Sequence, residues 1–150
     1  METDPVQRKC RRRQGSTYMS AENIDKKVLV DLQIEKSYST MEDCELMASK
    51  ERWSGAASRL YYAVFHAVCA LLIYDGHRVK THKGAGITFS QQYIHTGKLP
   101  TIYGELFYQL ENMRERSDYD CFYTITENEL KQKLSPAKEM INTIAEMVRE

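Results

Sequence analysis

The stretch that decides the fold runs from residue 53 to residue 76 and reads WSGAASRLYYAVFHAVCALLIYDG. Its apolar side chains recur every three or four residues, which is the period of an α-helix and not of a strand. The helix is expected to begin near Glu51 and to end at Asp75-Gly76, because glycine readily adopts the left-handed conformation found past helix ends. Its core stripe comprises Trp53, Ala56, Ala57, Leu60, Val64, Val68, Leu71 and Leu72.

The same period appears on both sides of this segment. A first helix has Ser20 as its candidate N-cap. A short third helix is predicted over residues 83–94, where Gly84 and Gly86 each cost about 1 kcal/mol relative to alanine and so suggest close packing or a turn. The stripe of the first helix comprises Val30, Ile34, Ser37, Met41, Cys44 and Ala48.

Two more helices follow. The fourth opens at Thr101 and fades near Ser117, and an aromatic and polar loop is predicted from there to Thr126. Short connections favour antiparallel neighbours, so the sequence predicts an all-α, up-and-down helical bundle of four main helices plus one short helix. The stripe of the fifth helix comprises Leu130, Leu134, Ala137, Ile141, Ile144 and Val148.

Composition divides the chain into a basic extension and a bundle domain. The 150 residues suit one domain, and 21 Lys and Arg balance 21 Asp and Glu, which argues against a protein that coats nucleic acid by net charge. The basic excess lies at the start, so residues 1–21 are expected to be a disordered extension and residues 22–150 the helical domain. The extension is either a solvated segment, with a start at Met19, or an arm that contacts RNA or another acidic partner.

Several function classes lack support in the sequence. The cysteines at 10, 44, 69 and 121 form no CxxC pair, so a zinc site is not expected. No cofactor is expected either. The P-loop, GxSxG and HExxH patterns do not occur. The sequence contains no uninterrupted run of 18 apolar residues, so no membrane span is predicted. Unpaired cysteines suit a reducing, cytoplasmic location.

A second stripe on the central helix points to function. Arg59, Tyr62, His66 and Cys69 follow one another at steps of three, four and three, so they share one face. A polar and aromatic face on an otherwise apolar helix either meets a partner or lines a cleft. The alternative is that Tyr62 and His66 lie buried between helices with satisfied hydrogen bonds.

Two further clusters suit an anion. Arg114, Arg116, Asp118 and Tyr119 stand at the end of the fourth helix, where the arginines either bind phosphate or are neutralised by neighbouring carboxylates. A segment containing Lys80 and His82 precedes the third helix, and backbone N–H groups at a helix N-terminus attract anions.

The central segment resembles a known family. Residues 59–67, RLYYAVFHA, are similar to the RxYYAxFHA signature of prokaryotic HEPN (higher eukaryote and prokaryote nucleotide-binding) domains. KTHKG at 80–84, TGKL at 96–99 and RERSDY at 114–119 follow in the family's order. The similarity covers roughly residues 24–149.

This resemblance implies a five-helix bundle, frequent homodimers and pairing with a minimal nucleotidyltransferase as a toxin–antitoxin system. Many members are metal-independent RNases that carry a late-helix Arg, then four to six intervening residues, then His, whereas this chain has Asp118 and Tyr119 at the expected position. An Asp carboxyl has an ordinary pKa near 3.9 against about 6.5 for His, so it is a poorer acid–base at neutral pH. Arg59 and His66 match the spacing literally, but about 10 Å separates them along the helix axis.

Three functions are therefore expected. The first is a dimeric nucleotide- or RNA-binding, toxin-like partner of a nucleotidyltransferase, with no membrane association. The second is a metal-independent endoribonuclease, with His66 as acid–base and Arg59 or Arg116 as phosphate clamp. The third is a non-catalytic helical adaptor. The candidate ligand-binding residues are Arg59, Tyr62, His66, Lys80, His82, Arg114, Arg116, Asp118 and Tyr119.

Overall fold

A computed structural model describes residues 25–149, and this part of the chain contains five α-helices and no strand. The all-α bundle of four long helices and one short helix is confirmed. A π-helical turn, Ser90–Ile94, continues the short helix. The helices are α1 (Lys26–Ser49), α2 (Trp53–Tyr74), α3 (His82–Phe89), α4 (Thr101–Tyr119) and α5 (Glu127–Val148).

Some helix ends differ from the sequence expectation. Helix α1 begins at Lys26, and the Asp25 carboxylate caps it by accepting the Lys27 N–H at 3.2 Å. Ser20 is therefore not the N-cap of this helix, and it lies outside the described residues, as does the predicted domain boundary at residues 21 and 22. Helix α2 begins at Trp53, two residues after the predicted Glu51.

Helix α4 continues to Tyr119, past its predicted end near Ser117. The last turn is held by an ion pair between Arg114 and Asp118, whose nitrogen and oxygen lie 3.6 Å apart. Residues four apart lie on the same side of a helix, so this pair favours the helical conformation at the point where the apolar pattern stops.

Helix α2 is the centre of the bundle and packs against each of the other four helices. Its alanines allow α1 to approach closely, and the buried Ser37 hydroxyl donates to the Ala63 carbonyl at 2.6 Å. The predicted stripe of α2 is buried, with only Trp53 partly exposed. Burying this apolar surface at roughly 25 cal/mol per Å² is the main favourable contribution to folding.

Helix α3 and the π-helical turn after it are held in place by one small residue, Gly86, and one large residue, Tyr93. A Cβ added to Gly86 would lie 3.2 Å from the Phe107 side chain, so this glycine serves close packing, as expected. In the π-helical turn, the buried Tyr93 donates its hydroxyl to the Asp75 carboxylate just after α2. These contacts hold α3 against α4 and its π-helical turn against the C-terminal end of α2.

The hydrophobicity of α2 has a simple explanation in the bundle. Within residues 25–149, α2 is the one helix long and apolar enough to cross a membrane by length and composition. However, 61% of its most apolar window is already buried against the other helices. A central bundle helix is apolar on most sides for this reason, so α2 gives no independent sign of a membrane span.

Candidate functional site

Helix α2 brings together the side chains expected to share one face. Arg59, Tyr62, His66 and Cys69 are all half-buried, and we call them the polar face of α2. The Arg59 guanidinium carbon lies 5.1 Å from the centre of the Tyr62 ring. A cation over an aromatic face is held by the ring's quadrupole, so this arginine is positioned while remaining accessible.

One ring nitrogen of His66, Nδ1, is hydrogen-bonded. This atom lies 2.8 Å from the Gln33 side-chain oxygen on α1. An amide oxygen only accepts, so Nδ1 carries the proton and Nε2 keeps its lone pair. Burial, followed by the positive charges of Lys36 and Arg59, lowers the pKa of His66 below its usual 6.5. The imidazole is therefore neutral at pH 7, with one nitrogen used for structure and the other available as a base.

The N-terminus of α3 contributes a second imidazole to this surface. The His82 ring stacks on the Phe65 ring at a centroid distance of 4.2 Å and an angle of 12°. Its edge also meets Tyr62, 5.9 Å away. The Thr81 hydroxyl accepts the Gly84 N–H at 2.9 Å, which uses one of the backbone donors predicted to attract an anion. The main contribution of the N-terminus of α3 to this surface is therefore the His82 side chain, and not its free backbone N–H groups.

Arg114 joins α4 to the polar face of α2. Its guanidinium carbon lies 5.1 Å from the Tyr61 ring centre and 5.8 Å from that of Tyr62. The same side chain pairs with Asp118 at 3.6 Å and with Glu115 at 3.7 Å. Tyr62 is thus contacted by two arginines from different helices, while the charge of one of them is largely neutralised by α4 itself.

The rest of the late-helix cluster does not converge on this site. The Arg116 guanidinium carbon lies 4.0 Å from the ring centre of Tyr123, whose hydroxyl donates to Glu129 on α5. Tyr119 is 82% exposed. Consecutive helix positions differ by about 100°, so residues two and five positions beyond Arg114 point elsewhere. Lys80 is exposed in the connection before α3.

Three buried polar atoms at the contact between α2 and α4 have no hydrogen-bond partner among the described residues. They are the Tyr61 hydroxyl, the Arg114 Nε and the Ser117 hydroxyl. Buried polar groups are nearly always bonded, to protein or to water, because leaving them unpaired costs free energy. The contact therefore offers two hydroxyls and one N–H to a water molecule or a ligand atom.

A pocket opens beside Arg59, where α2 faces the last turn of α4. Arg59 and Asp118 line it together with Met47 and Ser58. Residues 25–149 contain no group of three or more His, Cys, Asp or Glu side chains arranged to hold a metal ion. The chemistry available from these side chains is therefore cation binding of an anion, aromatic stacking and proton transfer at His66.

Comparison with protein-family models shows which family the chain belongs to. A family model described as HEPN domain matches residues 30–148. The chain belongs to the HEPN domain family. This confirms the resemblance that the RLYYAVFHA segment indicates.

Several HEPN relatives are similar along most of their length. A protein named "UPF0332 protein" from Thermotoga maritima is 24% identical over 126 residues, which are 84% of this chain and 96% of the relative. Two proteins from Methanocaldococcus jannaschii are also similar. The one named "Putative toxin MJ0142" is 30% identical over 73% of this chain and 74% of its own length. The one named "Putative toxin MJ0605" is 26% identical over 78% and 87%.

Two residues of the surface around His66 were missed by sequence analysis. Gln33 bonds His66, and the charge of Lys36 acts on the same imidazole. They lie three apart on α1 and flank the buried positions Ile34 and Ser37, so the periodicity of α1 placed them beside the packed face. That signal indicates proximity to another helix, but it does not indicate which residue they meet.

Proposed function

We propose that this HEPN protein is a toxin-like, nucleotide- or RNA-binding component that pairs with a minimal nucleotidyltransferase in the cytoplasm, without membrane association, and acts as a homodimer. The names of the two Methanocaldococcus relatives support the toxin-like role. The observation that carries the ligand is the placement of Arg59 and Arg114 on Tyr62, next to His66.

The charge distribution supports an anionic ligand. Arg59 forms no ion pair within the described residues, whereas Arg114 has two carboxylate partners. Two cationic side chains act electrostatically on His66 from different helices, Lys36 on α1 and Arg59 on α2. A phosphate would therefore bind beside Arg59, through the guanidinium's planar set of donors. The rings of Tyr62 and His82 suit stacking with a base.

Binding can be measured by fluorescence anisotropy with labelled single-stranded RNA and, in competition, AMP, in EDTA. Arg59→Ala should weaken binding and lower the salt dependence, because one phosphate contact is lost. Arg78→Ala is the matched control, since Arg78 is an exposed arginine in the connection between α2 and α3. Equal affinities for the two variants, or no binding by the native chain, would contradict the proposed ligand site.

An endoribonuclease is the second candidate, and the free Nε2 of His66 is the observation that favours it. A neutral imidazole with one free nitrogen can accept a proton from a ribose hydroxyl. Metal-free cleavage should then disappear in His66→Ala while the melting temperature is retained. Arg116→Ala should leave cleavage unchanged, because Arg116 stacks on Tyr123 instead.

The adaptor alternative gives a different result in the same assays. If the polar face only binds protein, Tyr62→Ala should abolish co-purification with the nucleotidyltransferase, and neither RNA binding nor cleavage should be detected. A folded chain that binds RNA and retains its protein partner after this change would contradict the adaptor role.

A further inference from the structure

Helix α1 carries a row of apolar and acidic side chains on the side turned away from the bundle. Val28, Leu32 and Leu46 are 45%, 52% and 61% exposed, although all three are apolar. Glu35 and Glu42 lie between Leu32 and Leu46 and are also exposed. Steps of three and four residues keep the row within an arc of about 80° on the helix. We call it the outer stripe of α1, and it comprises Val28, Leu32, Glu35, Ser39, Glu42 and Leu46.

The negative charge of this part of α1 is not neutralised by the described residues. Residues 31–46 contain five carboxylates and one lysine, a net charge of −4. Within residues 25–149, Glu45 is the one carboxylate of this set that forms an ion pair, with Lys138 on α5. The outer stripe therefore has a negative centre with exposed apolar side chains on either side of it. Exposed apolar surface rimmed by polar groups is typical of a face that another segment covers.

The sequence that precedes α1 has the complementary order of side chains. Residues 8–13, RKCRRR, contain five positive charges and no negative charge, and we call them the basic run. Tyr18 and Met19 stand between the basic run and α1, and Val6 stands before it. A chain that turns back along α1 from Asp25 offers apolar, basic and apolar residues in that order. The outer stripe offers apolar, acidic and apolar residues in the same order.

The distances along the chain match this arrangement. With a rise of 1.5 Å per residue, Glu35 and Glu42 lie about 15 and 26 Å along the helix axis from Asp25. The basic run is joined to Asp25 by 12 residues at its nearer end and 17 at its farther end. Without secondary structure, a chain of that length has a mean end-to-end distance of about 20 Å. A tether that matches the span gives an effective concentration in the millimolar range, so several individually weak ion pairs are enough for docking.

We propose that the basic run docks on the outer stripe of α1 in the same chain, with its arginines at Glu35 and Glu42. A guanidinium binds a carboxylate through two parallel hydrogen bonds, so the two glutamates hold two arginines. While the basic run is docked, its charge is not available to RNA or to another acidic partner. This docking goes beyond the proposed function, because it needs neither a ligand nor a second protein.

Disulfide trapping tests the contact with one added thiol, because Cys10 already lies within the basic run. In a Cys121→Ser background, Ser39→Cys places the second thiol between Glu35 and Glu42 on the outer stripe. Mild oxidation of the full chain in low salt should give a disulfide within one chain. It is detected as a faster-migrating monomer on a non-reducing gel and mapped by peptide mass.

Ser135→Cys in the same background is the matched control, since Ser135 is exposed on α5. Asp25 and Val148 line one pocket, so the end of α5 lies beside the start of α1. Ser135 is 13 residues from Val148 and Ser39 is 14 residues from Asp25, so both thiols lie about 20 Å from that end of the bundle. If the basic run prefers α1, the disulfide with Ser39→Cys should form about tenfold faster than the control disulfide.

Removal of charge tests the ionic part of the docking. Glu35→Gln with Glu42→Gln keeps the side-chain size and should lower the trapping rate to that of the control. Salt at 1 M should do the same, because it shortens the Debye length to about 3 Å. Glu139→Gln with Glu146→Gln, exposed on α5 at the same spacing, should leave the rate unchanged. Melting curves by circular dichroism show that each variant is folded.

Three results would overturn the proposal. Equal trapping rates at Ser39→Cys and Ser135→Cys would show that the basic run does not prefer the outer stripe. A disulfide between two chains, and not within one, would assign the outer stripe to the basic run of a second copy. Trapping that persists without both glutamates would show that ion pairs do not hold the segment. RNA binding at Arg59 is measured separately by anisotropy, so it stands or fails independently of these results.

Discussion

Two equally buried tyrosines should respond in opposite directions when their hydroxyls are removed. Tyr61 and Tyr93 are 0% and 1% exposed. The Tyr61 hydroxyl has no hydrogen-bond partner in the described part of the chain, whereas that of Tyr93 donates to Asp75. Burial raises the pKa of both phenols, so both remain neutral at any pH used for folding studies.

The magnitudes follow from these contacts. A buried polar group without a partner costs about 1–3 kcal/mol, so Tyr61→Phe should raise the free energy of unfolding by about 1 kcal/mol. The ring contacts with Phe65, Phe107 and Arg114 are kept, because phenylalanine has the same ring. A hydrogen bond to a charged acceptor contributes about 1.5–3 kcal/mol. Tyr93→Phe should therefore destabilise the bundle by about that amount.

Urea denaturation at pH 7 measures both changes, provided that the transition is two-state and its slope is unchanged. In a chain of this size, each kcal/mol shifts the melting temperature by about 2–4 °C, so the two variants should differ by about 5 °C or more. Any loss of stability in Tyr61→Phe would refute the reasoning, since the hydroxyl would then be bonded, for example to an ordered water.

Three substitutions and one labelling experiment have clear expected outcomes. Glu51 has a positive φ of 58°, so Glu51→Gly should stabilise the chain by up to about 1 kcal/mol in urea titrations. Thr126 forms a capping box at the start of α5, and Thr126→Ala should cost about 1 kcal/mol in the same assay. Because the pKa of His66 is lowered on folding, the unfolded chain binds its proton first, so stability should fall as the pH drops below about 6.5; His66→Gln should reduce that fall. Ellman's reagent should label the exposed Cys121 rapidly and Cys44, whose pKa burial raises to about 12, only on unfolding.

The fold was predictable because it depends on repeated, local patterns. The stripes of α1, α2 and α5 each contain five or more apolar positions at helical spacing, and almost every one of them is buried. Such redundancy tolerates errors at individual positions. The helix ends depend on single groups instead. Asp25 caps α1, and the pair between Arg114 and Asp118 extends α4, and neither event changes the apolar period.

The site was predictable only where its residues share one helix. Arg59, Tyr62 and His66 are on one face because helical geometry requires it. The contacts of Arg114 with Tyr61 and Tyr62 and of Gln33 with His66 join different helices, and they depend on how those helices pack. A sequence cluster also overstates proximity, since Arg114 and Arg116 are two residues apart and face opposite sides of α4.

The carboxylate at position 118 moves the positive charge of the site away from α4. In the described structure it pairs with Arg114, which is also paired with Glu115, so this arginine presents little net charge to a ligand. A neutral imidazole at position 118 would remove one of the two carboxylate partners of Arg114 and leave only Glu115. Here the cations around His66 that form no ion pair within the described residues are Arg59 on α2 and Lys36 on α1. Asp118→His should therefore strengthen phosphate binding at Arg114 without requiring any change at Arg59, and RNA anisotropy with the double variant Asp118→His, Arg59→Ala would separate the two contributions.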